Sequence, residues 1–519
     1  MRLTGVDIGI FVAYVIGLIL IASLVSREKA GHEKDTKDYF LAGNTLTWWA
    51  IGASLIAANI SAEQIIGMSG SGYAVGLGIA SYEWIAAIIL MIVGKYFLPI
   101  FLKYGIYTMP QYLERRYNHN VRLVLAVFWI GVYIFVNLTS VLWLGALAIN
   151  TVAGVDLAYG LIFLGAFAAA YSLYGGLKAV AFTDIIQVVL LIIGGLYLSY
   201  LTLNMISDGG GVISGFITLT EKAPEKFDMI LSADNPYYKD LPGITALIGA
   251  VWVLHFAYWG FNQYIIQRAL AAKSIQEAQK GIAFAAILKL ITPIIVVLPG
   301  IAAVVIKPGL ETPDQAYPQL MTLMPAGMMG LVFAALVAAI VSSLGSMTNS
   351  ISTIFTMDIY SYYKPGKSQH HYVKVGRIVS FSSLIIAMVC AKPLLGNFDQ
   401  AFQYIQEFTS FFTPGIVIIF FLGMFWSRMT PTAALAAAIG SFVTSLGFKI
   451  FWPALPFLDR MNFIFLICLA LAVGTSLLVR EESAHVHKIE KADFHTTTGY
   501  NLVALAIFMV LAAIYYTWW

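Results

Sequence analysis

The sequence predicts an all-α polytopic membrane protein with about fourteen transmembrane helices, and three observations predict it. Of its 519 residues, 60% are hydrophobic and only 11% are charged, where a soluble domain carries about 25% charged residues. The apolar residues fall into runs long enough to cross a bilayer, which takes about 20 residues of helix. The basic residues gather in alternate connecting segments, as in membrane proteins whose cytoplasmic loops retain positive charge.

The runs lie near 5–25, 45–73, 78–102, 123–149, 155–174, 180–205, 243–262, 281–306, 326–357, 379–391, 398–424, 430–453, 461–479 and 499–518. The first reads as a retained helix. Its positive charges (Arg27, Lys29, Lys34, Lys37) follow the apolar stretch, whereas a signal peptide has them before it. The loops 26–44, 103–122, 175–179, 263–280, 358–378, 425–429 and 480–498 carry 20 of the 30 Lys and Arg residues, including Arg115 and Arg116. That set is therefore expected on the cytoplasmic side of a cell (inner) membrane, with both termini outside, extracellular or periplasmic.

Composition also excludes. A net charge of +3 leaves no footprint for nucleic acid; the partner it implies is the lipid bilayer. Cys390 and Cys468 sit in apolar runs and make neither a disulfide framework nor a zinc site. No nucleotide-binding fingerprint and no nucleophile triad is present, so an enzyme is not expected, and any work done must draw on an ion gradient. Oligomeric state is not legible.

Two runs look interrupted. The second holds Ala57-Ala58-Asn59-Ile60-Ser61-Ala62-Glu63-Gln64 and then four glycines up to Gly76; the seventh holds Tyr258-Trp259-Gly260-Phe261-Asn262-Gln263. Irregular backbone at membrane depth is tolerated where it lines a cavity or an ion site. If 45–205 and 243–424 are two five-helix halves, these are their first helices, entering from opposite sides. That is the inverted-repeat plan of secondary transporters. Residues 1–44 then add an N-terminal helix and cytoplasmic loop, 206–242 an external loop, and 425–519 three further helices. The intramembrane ionisable groups are Glu63, Glu83, Lys95, Asp184, His255, Lys289 and Glu407, and such groups usually pair or act. Lys95 is placed to snorkel. Lys289 sits half-way along its helix and is not.

At these residues the chain resembles the solute:sodium symporter family, and within it a bacterial sugar-carrying branch. The resemblance rests on Ser54 to Gly72, Tyr174 to Val180 with Thr183 to Gln187, Tyr258 to Arg268, Ala338 to Ser343 and Ala401 to Glu407. It implies a leucine-transporter-type fold with a five-plus-five inverted repeat. It implies sodium as the co-transported ion, held by the carbonyls of Ala57, Ile60 and Ala339 and the hydroxyls of Ser342 and Ser343, with Asp184 on the ion's way out. A hard cation wants oxygens, which a helix break and paired serines supply. The resemblance further implies a sugar site of Gln64, Glu83, Lys289 and Gln406, with Asn59 holding the break in shape. Tyr258 is the expected inner gate, and Met68, Tyr82 and Phe402 the outer one. His255 and Ala86 stand where the sugar-carrying branch has asparagine and serine, so they bear on which sugar fits.

The expected function is sodium-coupled symport of a monosaccharide, a hexose such as glucose or galactose, into the cell by alternating access. Inositol, an amino acid or a vitamin is the alternative cargo. A sensor would be expected to bring a signalling domain, and a channel would not need two gates.

Overall fold

The computed structural model describes residues 3–25, 45–103, 105, 108–396, 400–479 and 491–519, with side chains at all of these except 22–23, 25, 171–184 and 491–492. Ten of its helices are long and apolar enough to cross a membrane, or twelve if each of two bent pairs is one span. In chain order the helices are α1 (Gly5–Val25), α2 (Trp48–Asn59), α3 (Glu63–Ala74), α4 (Leu77–Lys103), α5 (Met109–Arg116), α6 (His119–Ala153) and α7 (Leu157–Ile206). Helix α8 (Gly211–Lys222) precedes α9 (Gly243–Phe261), α10 (Gln263–Leu270), α11 (Ile275–Ile306), α12 (Met328–Tyr363) and α13 (Gln369–Leu395). The bent pair α14 (Ala401–Thr409) and α15 (Thr413–Phe425) is followed by α16 (Pro431–Phe451), α17 (Phe457–Leu478) and α18 (Thr498–Thr517).

Burial follows position in the bundle. α12 is enclosed almost throughout, while α16, α17 and α18 keep most of their surface outward, facing where lipid would be. An apolar helix surface is the normal exterior in a bilayer, so exposed Ile, Leu and Phe on these helices need no partner.

α7 spans 50 residues, about 75 Å at 1.5 Å per residue, more than twice the hydrocarbon thickness. The sequence predicts two spans here. A Cβ on Gly145 would lie 2.7 Å from Leu164 and 3.1 Å from Ile340, and one on Gly194 would lie 2.7 Å from Val332. Val332 and Ile340 are about 12 Å apart along α12, whereas Leu164 and Gly194 would be about 45 Å apart on one straight helix. The two ends of α7, 157–170 and 185–206, therefore do not lie along one straight axis.

Both expected interruptions are present. α2 and α3 meet at 57°. At the corner Ile60 has φ −74°, ψ 80°, and the Ser61 N–H donates to Asn59 O at 2.8 Å, the geometry of an inverse γ-turn. Gly72 lets α3 lie on the α11 backbone, since a Cβ there would meet Val297 O at 2.8 Å. The second interruption is at Asn262, extended at φ −80°, ψ 119°. Beyond it the chain does not leave as a loop. α10 continues as a wholly buried amphipathic helix, so 263–270 is part of the bundle.

A third bend, absent from the sequence reading, separates α14 from α15 by 48°. Pro414 in the first turn of α15 has no N–H to continue the ladder. The loop 206–242 packs against the ends of the bundle helices. Lys226 Nζ donates to Ala74 O at 2.7 Å, and Gln400 Nε2 donates to Asp240 at 3.3 Å.

Candidate functional site

The broken helix α2–α3 is the floor on which the site is built. Its corner faces α12 on one side. There Ala57, Ile60, Ala339, Ser342 and Ser343 are all buried, at most 1% exposed. Ser343 Oγ donates to Ala58 O at 3.3 Å, so the serine pair does meet the corner. Arg268 of α10 fastens this junction. It reaches Ser54 O at 3.0 Å, Ser54 Oγ at 2.8 Å and Ser346 Oγ at 2.5 Å, and it also bonds Tyr264 O. One fully buried guanidinium thus ties α2, α10 and α12. Its only sequence signal is a lone cation among apolar and amide residues at the end of the Tyr258–Arg268 stretch.

On the other side of the corner lies a cavity. Asn59, Gln64, Glu83, His255, Tyr258, Lys289 and Gln406 all line it, as do Met68, Tyr82 and Phe402. Residues as far apart in sequence as 59 and 406 are brought to one place. Lys289 bonds both the Glu83 carboxylate and the Asn59 amide oxygen, and its Nζ lies 5.0 Å from the Trp259 ring centre. Asn59 then donates Nδ2 to the Tyr258 hydroxyl at 3.1 Å, and Tyr264 OH donates to the same oxygen at 2.9 Å. The acid and the base are therefore satisfied by each other, and the amide relays that order to Tyr258. The Tyr82 and Phe402 rings of the cavity wall meet edge-on at 5.2 Å, and Met68 is 1% exposed.

One residue departs from expectation. Ala86 is buried but is not on the cavity wall; a methyl group one turn beyond Glu83 brings no polar atom to it. Glu407 is no part of the cavity either. It accepts from Lys449 and Arg460 at 2.5 Å each, an ion cluster that ties α14 to α16 and α17. Asp184 lies outside the described residues.

Several lining residues were given no site role by the sequence reading: Glu63, Trp259 and Asn262, named only in the interruptions or among the ionisable groups, and Tyr133, Asn137 and Thr409. Tyr133 closes the second interruption, donating to Asn262 Oδ1 at 2.7 Å and accepting the Gln263 N–H at 2.9 Å. Three wall segments, Glu63–Met68, Tyr133–Leu138 and Phe256–Phe261, are π-helical. A π-turn inserts one residue and rotates the helix beyond it, and such turns gather at functional sites. That rotation decides which side chains reach the cavity, and it has no signature in residue spacing.

The cavity carries buried polar atoms that have no partner in the protein: Gln64 Oε1, Tyr82 OH, Asn137 Oδ1, His255 Nε2, Trp259 Nε1 and Thr409 Oγ1. Buried polar groups in folded proteins are paired. Six unpaired ones around one space make it a receptacle for a ligand that both donates and accepts hydrogen bonds.

A spanning bundle with a polar cavity at two helix interruptions is the architecture of a membrane carrier. Residues 39–440 match the sodium:solute symporter family, and the chain belongs to it; sodium is the ion it co-transports. It is 50% identical to a sodium/glucose cotransporter of Vibrio parahaemolyticus, over 100% of this chain and 99% of the relative. It is 33% identical to sodium/myo-inositol cotransporter 2 of Mus musculus, over 83% of this chain and 68% of the relative. In fold it is similar to a sodium-coupled sialic acid symporter solved in a substrate-bound outward-open state, with TM-score 0.80 at 23% identity, covering 92% of this chain and 98% of that one. The nucleobase-cation symporter Mhp1 is more distant, with TM-score 0.56 at 15% identity, over 86% and 97% of the chains.

Proposed function

We propose that this protein carries a monosaccharide, a hexose such as glucose or galactose, into the cell together with sodium. The observation that carries the reading is the set of unpartnered donors and acceptors around a cavity whose one ammonium is already neutralised by a carboxylate. A neutral polyol satisfies such a wall; a free amino acid would bring a second pair of charges. The full-length similarity to a relative named for glucose supports it.

In this reading fourteen helices cross the membrane, with α1 and the last three flanking two inverted five-helix repeats, 45–205 and 243–424. Both termini lie outside the cell membrane. Sodium sits at the carbonyls of Ala57, Ile60 and Ala339 and the hydroxyls of Ser342 and Ser343, leaving past Asp184. Gln64, Glu83, His255, Lys289 and Gln406 hold the sugar, Met68, Tyr82 and Phe402 close the outer path, and Tyr258 the inner. Sodium draws the α2–α3 corner onto α12, which orders Asn59 and thereby Lys289 and Tyr258. Ion occupancy and sugar affinity are then coupled through one backbone corner. Each charge moved inward gains about 2.3 kcal/mol per 100 mV, enough for roughly 50-fold accumulation.

The test is uptake by proteoliposomes under an imposed sodium gradient, with glucose, galactose, mannose, fucose and myo-inositol as radiolabelled or competing solutes. Saturable, sodium-dependent accumulation of a hexose supports the reading. Preference for myo-inositol over every hexose moves the substrate to a cyclitol, and no sodium-driven uptake of any of the five sinks it.

A further inference from the structure

Glu63 belongs to neither the expected sodium site nor the expected sugar site, yet it is 3% exposed and lines the cavity. The walls hold two carboxylates, Glu63 and Glu83, and one ammonium, Lys289. Lys289 hydrogen-bonds Glu83 and Asn59, and no hydrogen bond joins it to Glu63. The partner of the Glu63 side chain is an amide: Gln406 Nε2 donates to its Oε1 at 3.3 Å. If both acids were ionised, the cavity would hold one uncompensated negative charge out of water, at a cost of several kcal/mol.

Among the described residues that line the cavity there is no other Lys or Arg. The helices packed against the Glu63–Met68 turn contribute Lys289 from α11, Asp314 and Tyr317 from the connection between α11 and α12, and Glu407 from α14; the adjoining part of α6, Thr139–Ala153, contributes no titratable residue. Asp314 accepts the Ala401 N–H, and Glu407 is held by Lys449 and Arg460. Across the cavity stand Glu83 and Tyr82 of α4 and His255 and Tyr258 of α9. At the corner the Ala58 carbonyl meets Ser343 of α12, whereas the Glu63 carboxyl meets Gln406 of α14.

We propose that Glu63 works as a neutral carboxylic acid that donates its O–H to a hydroxyl oxygen of the carried sugar. The inference rests on the monosaccharide reading above. Oε1 accepts from Gln406, which leaves Oε2–H as the donor. A carboxylic acid kept neutral in an apolar site is an established form of hydrogen-bond donor. It complements the wall, where Gln64 and Asn137 present amide oxygens as acceptors, so that a hydroxyl has one partner to give to and one to take from. The cavity is then electroneutral with sugar and without it.

The experiment measures KM for hexose uptake into proteoliposomes between pH 6 and pH 9 at fixed saturating sodium, for the wild type and for Glu63→Gln, Glu63→Asp and Glu63→Ala. Glutamine copies the neutral acid, with a donor where the O–H was. The expected wild-type KM rises at least fivefold toward the alkaline end, and Glu63→Asp keeps that rise. Glu63→Ala raises KM at least tenfold at every pH. Glu63→Gln recovers most of that loss and shows a flat profile. If glutamine is as damaging as alanine, or keeps the alkaline rise, the neutral-acid role is wrong. If Glu63→Gln instead weakens sodium dependence at unchanged sugar KM, the carboxylate is a counter-charge for the ion and the proposal falls. Absence of hexose uptake by the wild type would overturn the monosaccharide reading and this inference with it, so the two failures are distinct.

Discussion

At the scale of single residues, the site is a set of buried polar side chains held in order by one another. Lys289 is the hub. Removing it strands the Glu83 carboxylate and the Asn59 amide oxygen together, and breaking a buried ion pair from one side costs about 3–5 kcal/mol. Lys289→Ala is therefore expected to abolish measurable sugar binding in detergent with sodium present, while Lys289→Ala combined with Glu83→Gln recovers part of the lost thermal stability. Wild-type sugar affinity in the single mutant would place Lys289 outside the site. Ser343 is the hydroxyl that meets the first corner. Losing an oxygen from a hard-cation site should raise the sodium concentration for half-maximal uptake by tenfold or more in Ser343→Ala, and an unchanged sodium titration would remove it from the ion site. His255 and Ala86 separate cleanly. His255 has an unpartnered Nε2 at the cavity, and Ala86 is off its wall. His255→Asn should reorder the preference among glucose, galactose, mannose and fucose in competition assays, because a misplaced hydroxyl leaves buried groups unpaired. Ala86→Ser should leave the order unchanged. The reverse outcome would mean that α4 turns the 86 position inward when sugar is bound.

Among the elements, the interrupted helices act in pairs. α2 and α10 are stitched by the parallel bridge of Leu46 to Ala272, whose N–H···O bonds are 3.2 Å and 3.0 Å, and by the Arg268 fork. They are expected to move together when the inner side opens. Arg268→Lys keeps the charge but cannot reach Ser54 and Ser346 at once. We expect about 1.5–3 kcal/mol of lost stability, read as a lower Tm in detergent, and faster cysteine labelling at the Tyr258 level. A Tm within error of the wild type would show that the fork does not hold the pair. α14 is anchored differently. Its Glu407 is clamped to α16 and α17, while the Phe402 end is tied to the loops through Asp314 and Gln400.

For the whole molecule, the loop 206–242 ends in a latch. Ser71 Oγ donates to Gln400 Oε1 at 2.9 Å, and Gln400 Nε2 donates to Asp240 at 3.3 Å, which links the loop, the start of α14 and the far end of α3. Burial pushes the Asp240 carboxyl above the usual carboxylate range, although the Gln400 bond and neighbouring Lys239 pull the other way. A folded-state pKa above the unfolded one means that the folded protein holds the proton more tightly. This contribution to stability is present in full below the ordinary aspartate pKa and is lost as pH rises through the raised value. Raising the pH from about 4 to 7 should therefore lower the Tm of the wild type slightly more than that of Asp240→Asn, and equal shifts in both proteins would show that the group does not sense the fold.

Much of this architecture was legible in the sequence, because the bilayer imposes its demands on local composition. Apolar runs, loop charge and the amide-rich corners at Asn59 and Asn262 reflect the need of a lipid-embedded backbone to be satisfied within a few residues of itself. The gathering of Glu83, Lys289, Gln64 and Gln406 was legible only as what the family resemblance implies. What only the tertiary structure decided is direction. Three π-turns rotate Glu63, Asn137 and Trp259 onto the cavity wall, Ala86 falls off it, and Glu407 turns away to Lys449 and Arg460. Side-chain direction along a helix depends on where the hydrogen-bond ladder gains a residue and on which neighbour it packs against, and both are settled by contacts hundreds of residues apart.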